Sequence, residues 1–359
     1  MKMLASVVVL TLTIFGSLSG QALRFADLGD CQLENETIIK NCRVAYRTFG
    51  ALNDDRSNVV LFPSWFSGTT EDLARFIGPR SMVDSSEHFV IAVGAFGNGV
   101  SSSPSNSPTQ GSGAFPEFTI GDMVTAQHRL LTEVLGIRHV QAVVGISMGG
   151  MQAFEWLTSY PRFMDQAVSI VGSPKLGAYD VLLWQAELNA IERALAAYSD
   201  ARKARAAAMS AVAELHELAI RTPEAFNAAN QAEQVEALIA KKSADLILRA
   251  DPDDWASQLR AMMTHDISHG SGISMERIAL PVKGRTLVVV AEQDHMVTPG
   301  SALEFAQAAQ AETLVVDGDC GHLVFECDDG KVAAKVREFL AQNRGSLQPA
   351  DQRVVDPRE

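Results

Sequence analysis

The stretch VQAVVGISMGG, residues 140 to 150, decides how this chain is read. VQAVV reads as a buried strand, and a helix then runs through MGGMQAFEWLTSY until Pro161 closes it. Between them stands Gly145-Ile146-Ser147-Met148-Gly149, a Gly-x-Ser-x-Gly pentapeptide. Alone it means little, because glycine and serine are common enough to produce it by accident. Its place between strand and helix gives it weight. A sharp turn there lifts the Ser147 hydroxyl clear of the sheet, and neighbours without bulk let the backbone fold tightly. The helix that opens at Met148 aims free N–H groups and the positive end of its dipole at the same point. The Met148 N–H is therefore a candidate oxyanion donor. A glycine-rich turn that only packs a helix on a strand is the bland alternative.

A serine hydroxyl is a poor nucleophile without a base. When the serine sits on a strand-to-helix turn, an acid and then a histidine follow it along the chain. TLVVVAEQD, residues 286 to 294, delivers Asp294 after a late strand. ETLVVDGDCGH, residues 312 to 322, delivers His322 in the loop after the last strand. The expected set is Ser147 as nucleophile, His322 as general base, and Asp294 to hold the histidine's tautomer. Glu292 and Asp319 are rival acids; the first lies at the strand end, and the second is too close in sequence to His322 to orient it easily. A second oxyanion donor belongs in the loop after an early strand, here LFPSWFSGTT, residues 61 to 70. The Phe66 N–H is the expected donor, with Trp65 as runner-up and as a wall of the substrate pocket.

Around this centre strand and helix alternate. RVAYRTFG (43–50), NVVLFPSW (58–65), HFVIAVGA (88–95), DQAVSIVG (165–172), RTLVVVAEQD (285–294) and ETLVVD (312–317) read as strands. Helices are expected over 70–78, 120–136, 300–310 and 329–342. In IGDMVTAQHRLLTEVLG, Met123, Gln127, Leu130 and Val134 share a face, and Gly136 stands where a C-terminal cap belongs. The pattern predicts an α/β fold with a mainly parallel central sheet flanked by helices. FGNGVSSSPSNSPTQGSG, residues 96 to 113, is either a disordered linker or a long loop at the edge of a site. Residues 173–282 break the rhythm as an all-helical insertion. There Val181, Trp184, Leu188, Ile191 and Leu195 recur at helical spacing. His265 and His269, an i, i+4 pair, read as packing at the return from the insertion.

The chain has 359 residues and a formal charge of −13, which repels phosphate backbones and anionic lipid and argues against nucleic acid as a partner. MKMLASVVVLTLTIFGSLSGQA, residues 1 to 22, has the positive start, short apolar run and small-residue end of a secretory signal peptide. An uncleaved anchor is the alternative, but the run falls short of a comfortable span. No other stretch looks transmembrane. A secreted or periplasmic location makes disulfides permissible for the four cysteines, which form two close pairs, Cys31 with Cys42 and Cys320 with Cys327. A zinc site is the rival for the second pair, but Cys-x-His-x4-Cys matches no common finger spacing and no fourth ligand is evident. No metal and no cofactor is required. Two core segments, 23–172 and 283–343, flank the helical cap 173–282, and a polar tail occupies 344–359.

FTIGDMVTAQHRLLTEVLGIRHVQAVVGISMGGMQAFEWLTSYP, with FGNGVSSSPSN, RAMMTHDISHGSG and the surroundings of Asp294 and His322, closely resembles the homoserine O-acetyltransferase family of α/β-hydrolase-fold enzymes. The resemblance implies that Ser147, Asp294 and His322 match that family's triad and pass an acyl group to a hydroxyl. Two features depart from it. The family's cap helix carries Gln-Arg-x-Ala-Ile, whose arginine grips the amino acid's carboxylate; here AELNAIE puts Leu188 at that place. The family's catalytic histidine is followed by aspartate; here Leu323 follows His322. Losing two charge anchors disfavours a zwitterionic amino acid. The expectation is an exported esterase-type hydrolase of an apolar or weakly polar acyl ester. An O-acyltransferase and a non-catalytic binding protein are the alternatives; a homodimer is compatible with either.

Overall fold

The computed structural model describes residues 22–111, 113–282, 285–328 and 330–342. The leader expected at 1–22, except for its last residue, and the tail expected at 344–359 lie outside them.

Eight strands form the central sheet of the described residues: β1 (Arg24–Asp27), β2 (Arg43–Phe49), β3 (Val59–Pro63), β4 (Phe89–Val93), β5 (Val140–Ile146), β6 (Met164–Ile170), β7 (Thr286–Ala291) and β8 (Glu312–Val316). Their order across the sheet is β1-β2-β4-β3-β5-β6-β7-β8. β2 runs antiparallel to both β1 and β4, and every other pairing is parallel. Parallel strands need crossovers that cover both faces, so their sequences are apolar throughout rather than alternating. In β3, Val59 and Leu61 face one core layer, while Val60 and Phe62 face the other. In β5, Val143 joins the first, and Ala142, Val144 and Ile146 join the second.

On the first face lie α1 (Ile120–Arg129), α2 (Met148–Ser159) and, further along the chain, a helix at Gly300–Ala309, which contribute Met123, Met151, Phe154 and Phe305 to the core. A helix at Lys331–Gln342 covers the second face with Val336, Phe339 and Leu340. α1 begins at a capping box, in which Thr119 and Asp122 satisfy each other's backbone N–H groups. It differs from the expected continuous helix at its end. Leu130–Val134 is a π-helical turn, marked by Leu135 N–H donating to Leu130 O at 3.1 Å. The wider turn shifts the helical register. Met123, Gln127 and Leu130 are buried as expected, but Val134 is turned out to solvent.

The helix expected over 70–78 ends at Ala74, and Ile77–Gly78 instead pairs with Val83–Asp84 in a small parallel ribbon. The serine-rich stretch after β4 is a packed loop. Ser101 and Ser103 are fully buried, and the Ser101 hydroxyl accepts Ala45 N–H and donates to Gly94 O.

Between β6 and β7 the described chain makes helices: α3 (Ala178–Ala197), α4 (Ala201–Ile220), short Pro223–Ala229, α5 (Val235–Arg249), α6 (Pro252–Met263) and short Met275–Ala279. The neck of this excursion is pinned where Lys175 bridges Asp266 and Ile267 N–H donates to Pro174 O. No helix of the described residues is long and apolar enough to cross a membrane.

At that neck His265 is buried, its Nε2 has no hydrogen-bond partner among the described residues, and burial pushes its pKa down to about 4 despite nearby Glu155 and Asp266. A histidine held neutral by the fold takes up its proton more readily when unfolded. Its contribution to stability is therefore complete above pH about 6.5 and falls away as pH drops toward about 4. Urea unfolding at pH 7.5 and pH 4.5 should show native protein losing on the order of 3 kcal/mol more than His265→Leu. Parallel pH dependence in the two proteins would remove this account.

Candidate active site

The candidate residues lie at the C-terminal ends of the parallel strands, where such sheets open their crevices. Ser147 follows β5 directly and heads α2 with φ +55°, a left-handed conformation that costs a side chain energy and persists only where its surroundings enforce it. Its N–H donates to Ile170 O at 2.8 Å, and its carbonyl accepts Met151 N–H at 3.0 Å. The glycines make the turn. A Cβ on Gly145 would lie 1.9 Å from Gly149 O, and one on Gly149 would lie 2.6 Å from Pro63 O. The helix start is therefore pressed against the strands behind it, and the first N–H groups of α2 have no carbonyl one turn back to bind.

His322, in a short turn beyond β8, joins the two other residues. Its Nε2 lies 2.8 Å from Ser147 Oγ, and its Nδ1 lies 2.7 Å from Asp294 Oδ2. Asp294 Oδ1 accepts the N–H groups of Met296 and Val297 at 2.9 and 3.0 Å, so the carboxylate is held from both sides. Both His322 and Asp294 are buried, at 4% and 3% exposure. The rival acids are elsewhere: Glu292 and Asp319 are exposed. The structure pairs Cys31 with Cys42 and Cys320 with Cys327, the latter around the His322 turn. That turn also meets the cap, where the Thr222 hydroxyl donates to Asp319 O at 2.9 Å.

The loop after β3 is fastened at several points. Ser64 Oγ accepts Ala95 N–H, Gln152 Nε2 donates to Ser64 O, and Asn98 Nδ2 donates to Gly68 O. Ser67 N–H is taken by Gln258 Oε1 at 2.7 Å. Among the described residues no acceptor is recorded for the Phe66 N–H, and Phe66 lines the same cavity as Ser147.

That cavity has a volume of about 140 Å³. Pockets for drug-sized ligands run to roughly 300–1,000 Å³, so this one suits a small molecule. Trp65 and Leu323 line it. Leu188 does not: it is buried in the core, and Trp184, one turn earlier on α3, lines the cavity in its place. Along one helix face a step of four residues is about 6 Å of rise, enough to move a side chain past the site. His216 and Met262 also wall the cavity and were not singled out by sequence: α4 carries no motif at His216, and Met262 falls in the RAMMTHDISHGSG stretch with no role attached to it. Its charged lining residues Arg75 and Glu326 pair with each other at 2.5 Å.

Asp180, at the start of α3, was also invisible to sequence reading. It is fully buried and accepts Thr298 N–H, the Thr298 hydroxyl and Gly177 N–H at 3.0, 3.0 and 2.9 Å. It thereby ties the base of the cap to the loop that carries Asp294. Burial raises its pKa, against the pull of those hydrogen bonds.

A model of the alpha/beta hydrolase fold matches residues 62–329. An ethyl acetate hydrolase of Pseudomonas veronii is 30% identical over 328 residues, covering 88% of this chain and 93% of the relative. A homoserine O-acetyltransferase of Thermobifida fusca is 28% identical over 355 residues, covering 86% and 91%. The solved structure of an acetylester hydrolase from Corynebacterium glutamicum superposes with a TM-score of 0.81 at 28% identity, over 89% of this chain and 96% of that one. Agreement along most of the chain, on a sheet with this strand order, has one meaning: this is an enzyme of the alpha/beta hydrolase fold family, related to both esterases and homoserine O-acetyltransferases.

Proposed function

We propose that the protein is a serine-dependent hydrolase of short-chain carboxylic esters, acting through an acyl-enzyme on Ser147. The observation that carries this reading is His322 held between Ser147 Oγ and Asp294 at the floor of a small cavity. With Asp294 ionised and therefore acceptor-only, Nδ1 of His322 donates to it, and Nε2 is left to accept the serine proton. As Ser147 Oγ bonds to the ester carbonyl carbon, His322 takes that proton. The carbonyl oxygen becomes an oxyanion facing the N–H groups of Met148 and Phe66. Collapse breaks the bond to the alcohol oxygen, which leaves with the proton from His322. Water then attacks the acyl-serine, giving its proton to His322, and the acid departs as Ser147 regains its hydrogen.

Hydrolysis is favoured over transfer to homoserine because Leu323 and Trp184 offer no charge, and Arg75 and Glu326 already satisfy each other. The ethyl acetate hydrolase among the relatives supports a short acyl group. Export through the segment 1–22 completes the proposal: an oxidising compartment suits two disulfides, and water is present there while a cytosolic acyl donor is not. Transfer to an alcohol remains the second reading, supported by the homoserine O-acetyltransferase relatives.

Labelling with a fluorophosphonate, together with a series of acetate to octanoate esters, tests the proposal. Ser147 should be labelled and acetates should turn over fastest. Turnover of acetyl-CoA that appears only when homoserine is added would replace hydrolysis by transfer. Asp180→Ala should lower kcat about 10–100-fold by releasing the Asp294 loop, since small misplacements of reacting groups cost that much. Unchanged kcat in a folded Asp180→Ala protein would show that the loop holds its shape without the cap.

A further inference from the structure

One wall of the cavity carries a histidine, His216, that is paired with a buried acid behind it and that the proposed reaction does not use. Glu187 on α3 is wholly buried. One of its carboxylate oxygens accepts Trp255 Nε1–H at 3.1 Å, and the other lies 3.2 Å from His216 Nδ1. Taking Glu187 as a carboxylate, which can only accept, assigns the hydrogen at this contact to His216 Nδ1. This leaves Nε2 as the nitrogen with bonding capacity to spare, and among the described residues no hydrogen bond to it is recorded. His216 walls the cavity together with Ser147 and His322. Its ring is clamped, stacked on Phe66 at 6.3 Å between centroids and edge-on to Trp255 at 5.4 Å. An imidazole held this way, with one nitrogen spoken for, is a hydrogen-bonding point of defined geometry beside the apolar Phe66, Trp184, Ile220 and Met262.

We infer that His216 is a specificity-determining residue that binds a second oxygen of the substrate, so that the pocket is built for short esters bearing a hydroxyl group. Glu187 is its positioning residue. The inference rests on the proposed ester hydrolysis. A hydroxyl both donates and accepts, so it suits His216 in either protonation state. The His216 side chain is partly buried, at 19% exposure, so a substrate that closes the cavity without pairing Nε2 loses one hydrogen bond relative to one that pairs it.

Two matched ester pairs test this. 2-Hydroxyethyl acetate against propyl acetate exchanges a hydroxyl for a methyl on the alcohol side. Ethyl glycolate against ethyl propanoate makes the same exchange on the acyl side. For each pair the ratio of kcat/KM is measured in native protein, in His216→Phe, which keeps a ring in the clamp, and in His216→Phe/Glu187→Met, which leaves no buried carboxylate stranded. Damage to the fold lowers both esters of a pair together and leaves the ratio alone, as does their intrinsic reactivity. The hydroxy-ester preference in at least one pair should be about tenfold larger in native protein than in both variants, the worth of one hydrogen bond in a pocket. The responding pair tells which side of the ester faces His216. Ratios equal within about twofold in all three proteins would overturn the inference. Fluorophosphonate labelling of Ser147 separates the two failures: labelling with equal ratios sinks the role of His216 alone, and no labelling with no ester turnover sinks the proposed hydrolysis and this inference with it.

Discussion

Ser147→Ala is expected to lower kcat for an acetate ester by about 10⁵–10⁶-fold, with thermal stability kept or raised. The loss is large because in the proposed mechanism the Ser147 oxygen forms the acyl bond, and no other cavity side chain among the described residues is hydrogen-bonded to His322 Nε2 in its place. Relief of the positive-φ turn is no part of the effect, since alanine carries the same Cβ as serine. Residual activity of about 10³–10⁴ over uncatalysed hydrolysis should survive, from the proposed oxyanion donors, the Met148 and Phe66 N–H groups, and binding alone. Groups that act as a unit are not additive. His322→Ala should therefore cost nearly as much by itself, and the double variant should be no slower than either single one. Steady-state kinetics on all three, with protein purified free of the native enzyme, would decide it. Additive losses would mean that Ser147 and His322 do not work on one proton.

Gly145→Ala should prevent the protein from accumulating in folded form. Its added methyl would meet the carbonyl oxygen and carbon of Gly149 at 1.9 and 2.1 Å and the Gly150 nitrogen at 2.6 Å. These are backbone atoms, and the helix cannot retreat by a rotamer change. Overpacking in a close-packed interior costs about 1–3 kcal/mol even where side chains can yield, and here the cost should exceed that. The comparison is Gly300→Ala, at the first residue of Gly300–Ala309, where a Cβ meets nothing within 4 Å. That change should be neutral or stabilising by up to about 1 kcal/mol. Soluble yield and melting temperature of the two variants should therefore diverge. A folded Gly145→Ala protein of near-native stability would mean that α2 can shift away from β5, contrary to the close seating of the helix start on the strands.

Both predictions start from features written in one short stretch of sequence. The strand, the glycines and the helix of residues 140 to 159 are local, and local steric demands can be read without knowing the rest of the chain. The same holds for the apolar runs that become β3, β4, β5 and β7. β1 was not legible: only Ala26 of its four residues is buried, so it carries no periodic signal and is held by its antiparallel pairing with β2. The outward turn of Val134 was not legible either, because a single π-helical turn leaves the apolar spacing of the sequence intact while rotating the side chains of its last residues.

What the sequence by itself determined was therefore the sheet-and-helix architecture and the identity of Ser147, Asp294 and His322 as residues to be watched. Each sits just beyond a strand end, and a strand announces itself over a few consecutive side chains. Only the tertiary structure decided what faces them. That Trp184 rather than Leu188 reaches the cavity, that Asp180 braces the Asp294 loop, and that Glu187 and Trp255 hold His216 in the wall of the serine's cavity all depend on how α3, α4 and α6 dock on the sheet. Docking is set by side-chain volumes summed over many distant contacts. No window along the chain contains both halves of any of those contacts.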